Sequence, residues 1–82
     1  MNNKQENLLE RITVNPKILT GKPIIRGLRI SVEQILKALA GGIKMEDLLK
    51  DYPELEEKDI YAALLYAAEV IDEEKVYAIE NN

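Results

Sequence analysis

The apolar positions of this 82-residue chain recur with helical spacing over its second half. Val32, Ile35, Leu36 and Leu39 stand at i, i+3, i+4 and i+7, one stripe of a helix over residues 32–40, with Gln34, Lys37 and Ala38 opposite. Met45, Leu48 and Leu49 mark the buried edge of a short second helix, about 45–51. A third helix begins after Leu55, near Glu56 or Glu57, and reaches at least Ile71. Ile60, Ala63, Leu64, Ala67 and Ile71 form the stripe expected to face the core. Ala62, Leu65 and Tyr66 fall largely on the other side, within an unbroken apolar run over residues 60–68. A chain this small does not easily bury both faces of one helix. The second face is therefore expected to be a dimer or partner surface; the alternative is that Leu65 and Tyr66 cover a β element.

The first third of the chain has a different rhythm. Arg11-Ile12-Thr13-Val14 alternates polar and apolar as a half-buried strand does, and Asn15-Pro16 ends it. Lys17-Ile18-Leu19 is expected to form a single helical turn before Thr20-Gly21. In the stretch over residues 21–32, Ile24 and Ile25 are β-branched, Arg26-Gly27 supplies a turn, and Leu28 to Ile30 resumes the extended pattern. Ser31 then stands as an N-cap, with Gln34 completing a capping box. Gly41-Gly42 stops the first helix and Tyr52-Pro53 the second. The predicted fold is mainly α: a helix-turn-helix, homeodomain-like three-helix core with a small N-terminal β-hairpin element. Residues 1–7 are expected to be disordered and 8–72 to form one domain. Residues 73–82 read as an acidic and apolar tail whose Val76, Tyr77 and Ile79 order on contact.

Composition narrows the chemistry. There is no cysteine and no histidine. That removes disulfides, thiol nucleophiles, imidazole bases and the usual zinc ligand sets. No spacing of carboxylates indicates an acid–base pair or an oxygen-ligand metal site, and the glycines read as turns rather than a phosphate loop. Neither catalysis nor a cofactor is expected. The polar amino terminus lacks an apolar leader, no apolar run is long enough to span a membrane, and a cytoplasmic location is expected.

The net charge of −4 is unevenly spread. Residues 11–50 carry eight cations against three carboxylates, a balance of +5, whereas residues 51–82 carry two against ten, a balance of −8. Such a split suggests two surfaces with different partners or association of unlike ends; the bland alternative is two solvated faces.

The stretch Gly21-Lys22-Pro23-Ile24-Ile25-Arg26-Gly27-Leu28-Arg29-Ile30, preceded by Arg11-Ile12 and Pro16, resembles domain-of-unknown-function family 433. Gly41-Gly42, Leu48-Leu49, Tyr52-Pro53-Glu54-Leu55 and Ala62-Ala63-Leu64-Leu65-Tyr66-Ala67 continue the likeness in order, over about residues 11–69. The resemblance implies a small helix-turn-helix protein, of a kind taken to be an antitoxin paired with a PIN-like ribonuclease toxin. It also implies weaker helix caps here. Family members often carry Ser or Thr in place of Lys44, and usually Thr in place of Glu56.

Two functions follow as expectations. In the first, double-stranded DNA is gripped by Lys22, Arg26, Arg29, Lys37 and Lys44, with Lys58 and Tyr61 at the edge. The third helix itself is a poor reader, because Glu56, Glu57 and Asp59 oppose phosphate. For Arg29 an intramolecular carboxylate pair is the competing assignment. In the second, the chain is a protein-interaction module, a homodimer or toxin partner, using Ala62, Leu65, Tyr66, Val76, Tyr77 and Ile79. The resemblance makes that concrete as an acidic tail occupying a basic nuclease groove.

Overall fold

A computed structural model describes residues 7–74 as two 3-10 turns, two short strands and three helices. Of the segment expected to be disordered, residues 1–6 lie outside the described residues, as do Val76, Tyr77 and Ile79 of the expected tail. Asn7 has a defined role. Its side chain accepts from the Leu9 N–H at 3.1 Å and caps the first 3-10 turn, Leu8–Arg11.

Strand β1, Ile12–Thr13, pairs antiparallel with β2, Ile24–Ile25, in the register Ile12 to Ile25 and Thr13 to Ile24. On its other edge β2 meets the chain returning into the first helix. Ile24 bridges to Ser31, and the Ile25 N–H donates to the Ile30 carbonyl at 3.0 Å. Strands of two residues do not stand alone. These hold because Ile24 and Ile25 are both fully buried, one set of contacts on each face of the ribbon.

The reversal after β2 has Arg26 at φ 44° and Gly27 at φ 75°, with the Leu28 N–H on the Ile25 carbonyl at 2.7 Å. Two successive positive φ angles are the mark of a type I′ turn, whose twist matches that of the flanking strands. The helical turn expected at Lys17-Ile18-Leu19 is displaced. Ile18 is extended, and the second 3-10 turn, Leu19–Gly21, runs left-handed with φ of 50°, 54° and 82°. Each non-glycine residue there costs about 1–2 kcal/mol. Helical periodicity cannot reveal the hand of a turn.

Helix α1, Val32–Ala40, begins as its sequence indicates. The Gln34 N–H donates to Ser31 Oγ at 2.9 Å while the Ser31 N–H donates to Gln34 Oε1 at 3.4 Å. Gln34 Nε2 also reaches the Tyr52 hydroxyl at 2.9 Å, tying this helix start to the end of α2, Met45–Asp51. Ser31→Ala is expected to cost about 1 kcal/mol, read from the urea midpoint, because the Gln34 N–H loses its acceptor in a part-buried setting. Lys44, at the start of α2, makes no side-chain cap, as the resemblance implies.

Helix α3, Glu57–Glu74, packs against α1, α2 and the first 3-10 turn. Its rotation differs from the expected one. Ile60, Ala62 and Ala63 are fully buried and Tyr66 is half-buried against the core, whereas Leu64 and Ile71 are 45% and 57% exposed. Ala62 is thus a core residue and not part of a partner surface. The reason lies in β1 and the first 3-10 turn, which cover the Ala62–Tyr66 side and rotate Leu64 outward. Ala38, assigned to the outer side of α1, likewise packs partly against the core. That core is built from Ile25, Ile30, Val32, Ile35, Leu48, Leu55, Ile60 and Ala63.

Candidate functional site

Three features of the surface and its margins bear on function: a carboxylate held by two arginines, a dispersed set of cations, and an apolar face along α3. The first organises the junction of all the layers. Asp59 is the third residue of α3, and its Oδ2 accepts the Glu56 N–H at 2.8 Å, the carboxylate half of a capping box. The hydroxyl half of such a box is absent at Glu56, whose carbonyl instead accepts from the Asp59 N–H at 2.8 Å. The side chain is fully buried, so the remaining acceptor sites need donors. Arg26 Nε and Nη2 supply a fork at 3.0 Å to Oδ1 and 2.9 Å to Oδ2, and Arg11 Nη1 reaches Oδ1 at 2.8 Å.

The arginines are themselves held in place. Arg26 Nη2 also donates to the Glu54 carbonyl at 2.7 Å, Arg11 Nη1 pairs with Glu56 Oε1 at 2.8 Å, and the Arg26 N–H donates to the Arg11 carbonyl at 2.8 Å. Burial pushes the Asp59 carboxyl upward, but hydrogen bonds from Arg26, the Glu56 N–H and Arg11 outweigh it and leave it below its ordinary range. The Asp59 hydrogen bond correspondingly holds the Arg26 guanidinium further into its charged form. Arg26 is therefore a structural clamp joining the β2 turn to α3, and not a free phosphate ligand. Neither Arg11 nor Asp59 was singled out from sequence. The signal was available: Asp59, Ala63, Tyr66 and Val70 share one helical stripe, and an acid in a buried stripe requires a cationic partner.

The cations expected to grip DNA differ in their engagement. Lys22 and Lys37 converge on Glu33 of α1, each at 2.9 Å, and their hydrogen bonds lower its carboxyl to about 2. Arg29 is exposed and makes no ion pair among the described residues; the carboxylate pairing considered for it belongs instead to Arg26 and Arg11. Lys44 and Lys58 are exposed at the starts of α2 and α3. Tyr61 is exposed too, with its hydroxyl donating to Glu57 Oε2 at 3.3 Å. The charge of Glu57, then this hydrogen bond, raises the phenol above its ordinary value.

The apolar face is more continuous. Among the described residues six large hydrophobic side chains are exposed, and four of them, Tyr61, Leu64, Leu65 and Ile71, lie on α3. Beside them an open groove of about 330 Å³ runs between α1 and the outer half of α3. Pro23, Val32, Leu36, Tyr66, Val70 and Ile71 line it, with Glu33 and Lys37 on its edge. No helix among the described residues is long and apolar enough to cross a membrane.

Known proteins share this organisation. An uncharacterised protein, y4eO, of Sinorhizobium fredii is 36% identical over 58 residues, covering 71% of this chain. This chain spans only about a quarter of that relative (26%). The crystal structure of a DUF433 member protein from Anabaena variabilis superimposes with a TM-score of 0.68 at 33% identity, covering 78% of this chain and 66% of that one. The profile of the proteins of unknown function DUF433 matches residues 12–67, more than half of the sequence, and this chain belongs to the DUF433 family.

Proposed function

We propose that the domain is an antitoxin-like interaction module, cytoplasmic and non-catalytic, which binds a small PIN-like ribonuclease partner and its own promoter DNA. The partner reading is carried by one observation. The groove between α1 and α3 has a floor of aliphatic and tyrosine carbon and is rimmed by the Glu33–Lys37 pair, the form that receives an apolar helix or strand of another protein. The family resemblance supplies the class of partner. Recovery of the tagged protein from nuclease-treated host extract should bring down a stoichiometric small nuclease, identified by mass. Leu36→Gln, in the groove wall, should release that partner while leaving the helical circular dichroism intact. Recovery of the protein with no stoichiometric partner would count against this reading.

The DNA-binding part of the proposal falls on residues other than Arg26. Arg26 serves Asp59, so a change there confounds contact with folding. Arg29 and Lys44 are exposed and carry the reading instead. Their replacement by alanine should weaken promoter-duplex binding and flatten its dependence on salt. A wild-type protein that binds no duplex at low salt would reduce the proposal to a protein-interaction module.

A further inference from the structure

We infer that α3 pairs with α3 of a second copy of this chain, antiparallel, with the two-fold axis level with residue 66 and Leu65 of each copy beside it. The inference rests on the outward seam of α3, which shares only Ile71 with the groove that carries the partner reading. Tyr61, Leu64, Ala68 and Ile71 are all exposed and stand at intervals of three, four and three residues. That is the a and d spacing of a coiled-coil seam, sustained over two heptads, with Leu65 flanking it. The opposite side of the helix, through Ile60 and Ala63, is already committed to the core.

Charge selects the occupant and its direction. The outer end of α3 carries Glu69 and Asp72, and its last turn holds no basic residue. Parallel pairing would set these carboxylates against their own copies and align the two helix dipoles. Antiparallel pairing removes both penalties. Lys58 stands seven residues before Leu65 and Asp72 seven residues after it, on the same flank of the seam. With the axis level with residue 66, Leu64 of each chain lies against Ala68 of the other and Tyr61 against Ile71. On the flank, Leu65 meets its own copy and Lys58 faces Asp72, each pair offset by two residues, about 3 Å, along the helix and so within side-chain reach, twice by symmetry. Large side chains thus oppose small or aliphatic ones along the seam. A surface complementary to itself in both shape and charge fits a second copy of this chain.

The purified full chain, without any partner, tests this. Sedimentation equilibrium should give twice the 9.3 kDa chain mass at tens of micromolar. Leu65→Lys, which brings two ammonium groups together beside the axis, should raise the dimer dissociation constant at least about thirtyfold while the circular dichroism is unchanged. The chain lacks cysteine, so single cysteines report direction without background. A mixture of Leu64→Cys and Ala68→Cys proteins should oxidise chiefly to the 64–68 heterodimer. A monomer at several hundred micromolar overturns the inference. So does a dimer indifferent to Leu65→Lys, and so do 64–64 and 68–68 cross-links in place of 64–68. None of these results bears on whether the groove binds a nuclease.

Discussion

Asp59→Ala is expected to lower the stability of the domain by about 3–5 kcal/mol, the cost of leaving buried charge without its counter-charge. At roughly 0.05–0.15 kcal/mol per residue, a chain of this length has about 4–12 kcal/mol in total, so the variant should be largely unfolded at warm temperature. The cost is high because one side chain serves three parts of the fold. Its oxygens take the Glu56 N–H at the start of α3, the guanidinium fork of Arg26 from the β2 turn, and Arg11 from the end of the first 3-10 turn. Removing it strands a backbone donor and leaves two cations facing each other. Asp59→Asn should lose less, since the amide oxygen still accepts. Urea unfolding of the three proteins checks the order; a loss below 1 kcal/mol for the alanine variant would refute the assignment.

The same carboxylate makes the domain sensitive to acid in a calculable direction. Its folded pKa lies below the unfolded value near 3.9. Above the unfolded value both states are ionised and the full contribution is present. As pH falls below about 4 the unfolded chain takes the proton first, and stability is lost progressively until the folded carboxyl also protonates. Asp59→Asn should flatten that slope. Glu33, although depressed to about 2 by Lys22 and Lys37, is exposed, and its pairs are screened. Glu33→Gln should therefore leave the acid limb nearly unchanged.

Much of this architecture is legible in the chain. The boundaries of α1 and α2 follow from Ser31, Gly41-Gly42 and Tyr52-Pro53, because caps and stops are local chemistry. What failed was long-range. The run over residues 60–68 is apolar on every side, so periodicity alone could not say which side meets β1 and the first 3-10 turn. Arg26 reads as a free cation until Asp59, thirty-three residues away, is brought to it. The left-handed turn at Leu19–Gly21 has ordinary residues at its first two positions and is equally silent. As for the candidate site, an excess of apolar surface on α3 could be foreseen, but its residues could not. Ala62 moved into the core, while Leu64 and Ile71 moved out to join Leu65.

That exchange yields a second large expected effect. Ile60→Ala should cost about 2–5 kcal/mol, because Ile60 is fully buried among Ile35, Leu55 and their neighbours and its loss leaves a cavity under α1. Leu64→Ala, measured in dilute protein where self-association is absent, should stay within about 0.5 kcal/mol of the parent, since close to half of its surface is already wet. Had the stripe through Leu64 and Ile71 faced the core, the two substitutions would cost alike. Urea midpoints at sub-micromolar concentration distinguish these cases. Raising the concentration then adds a second reading. A deficit in Leu64→Ala that appears only as the parent begins to associate would place the value of that leucine between chains, where pairing and folding are linked by mass action. A deficit of several kcal/mol already present in dilute protein would return Leu64 to the core and remove the exposed seam on which self-pairing depends.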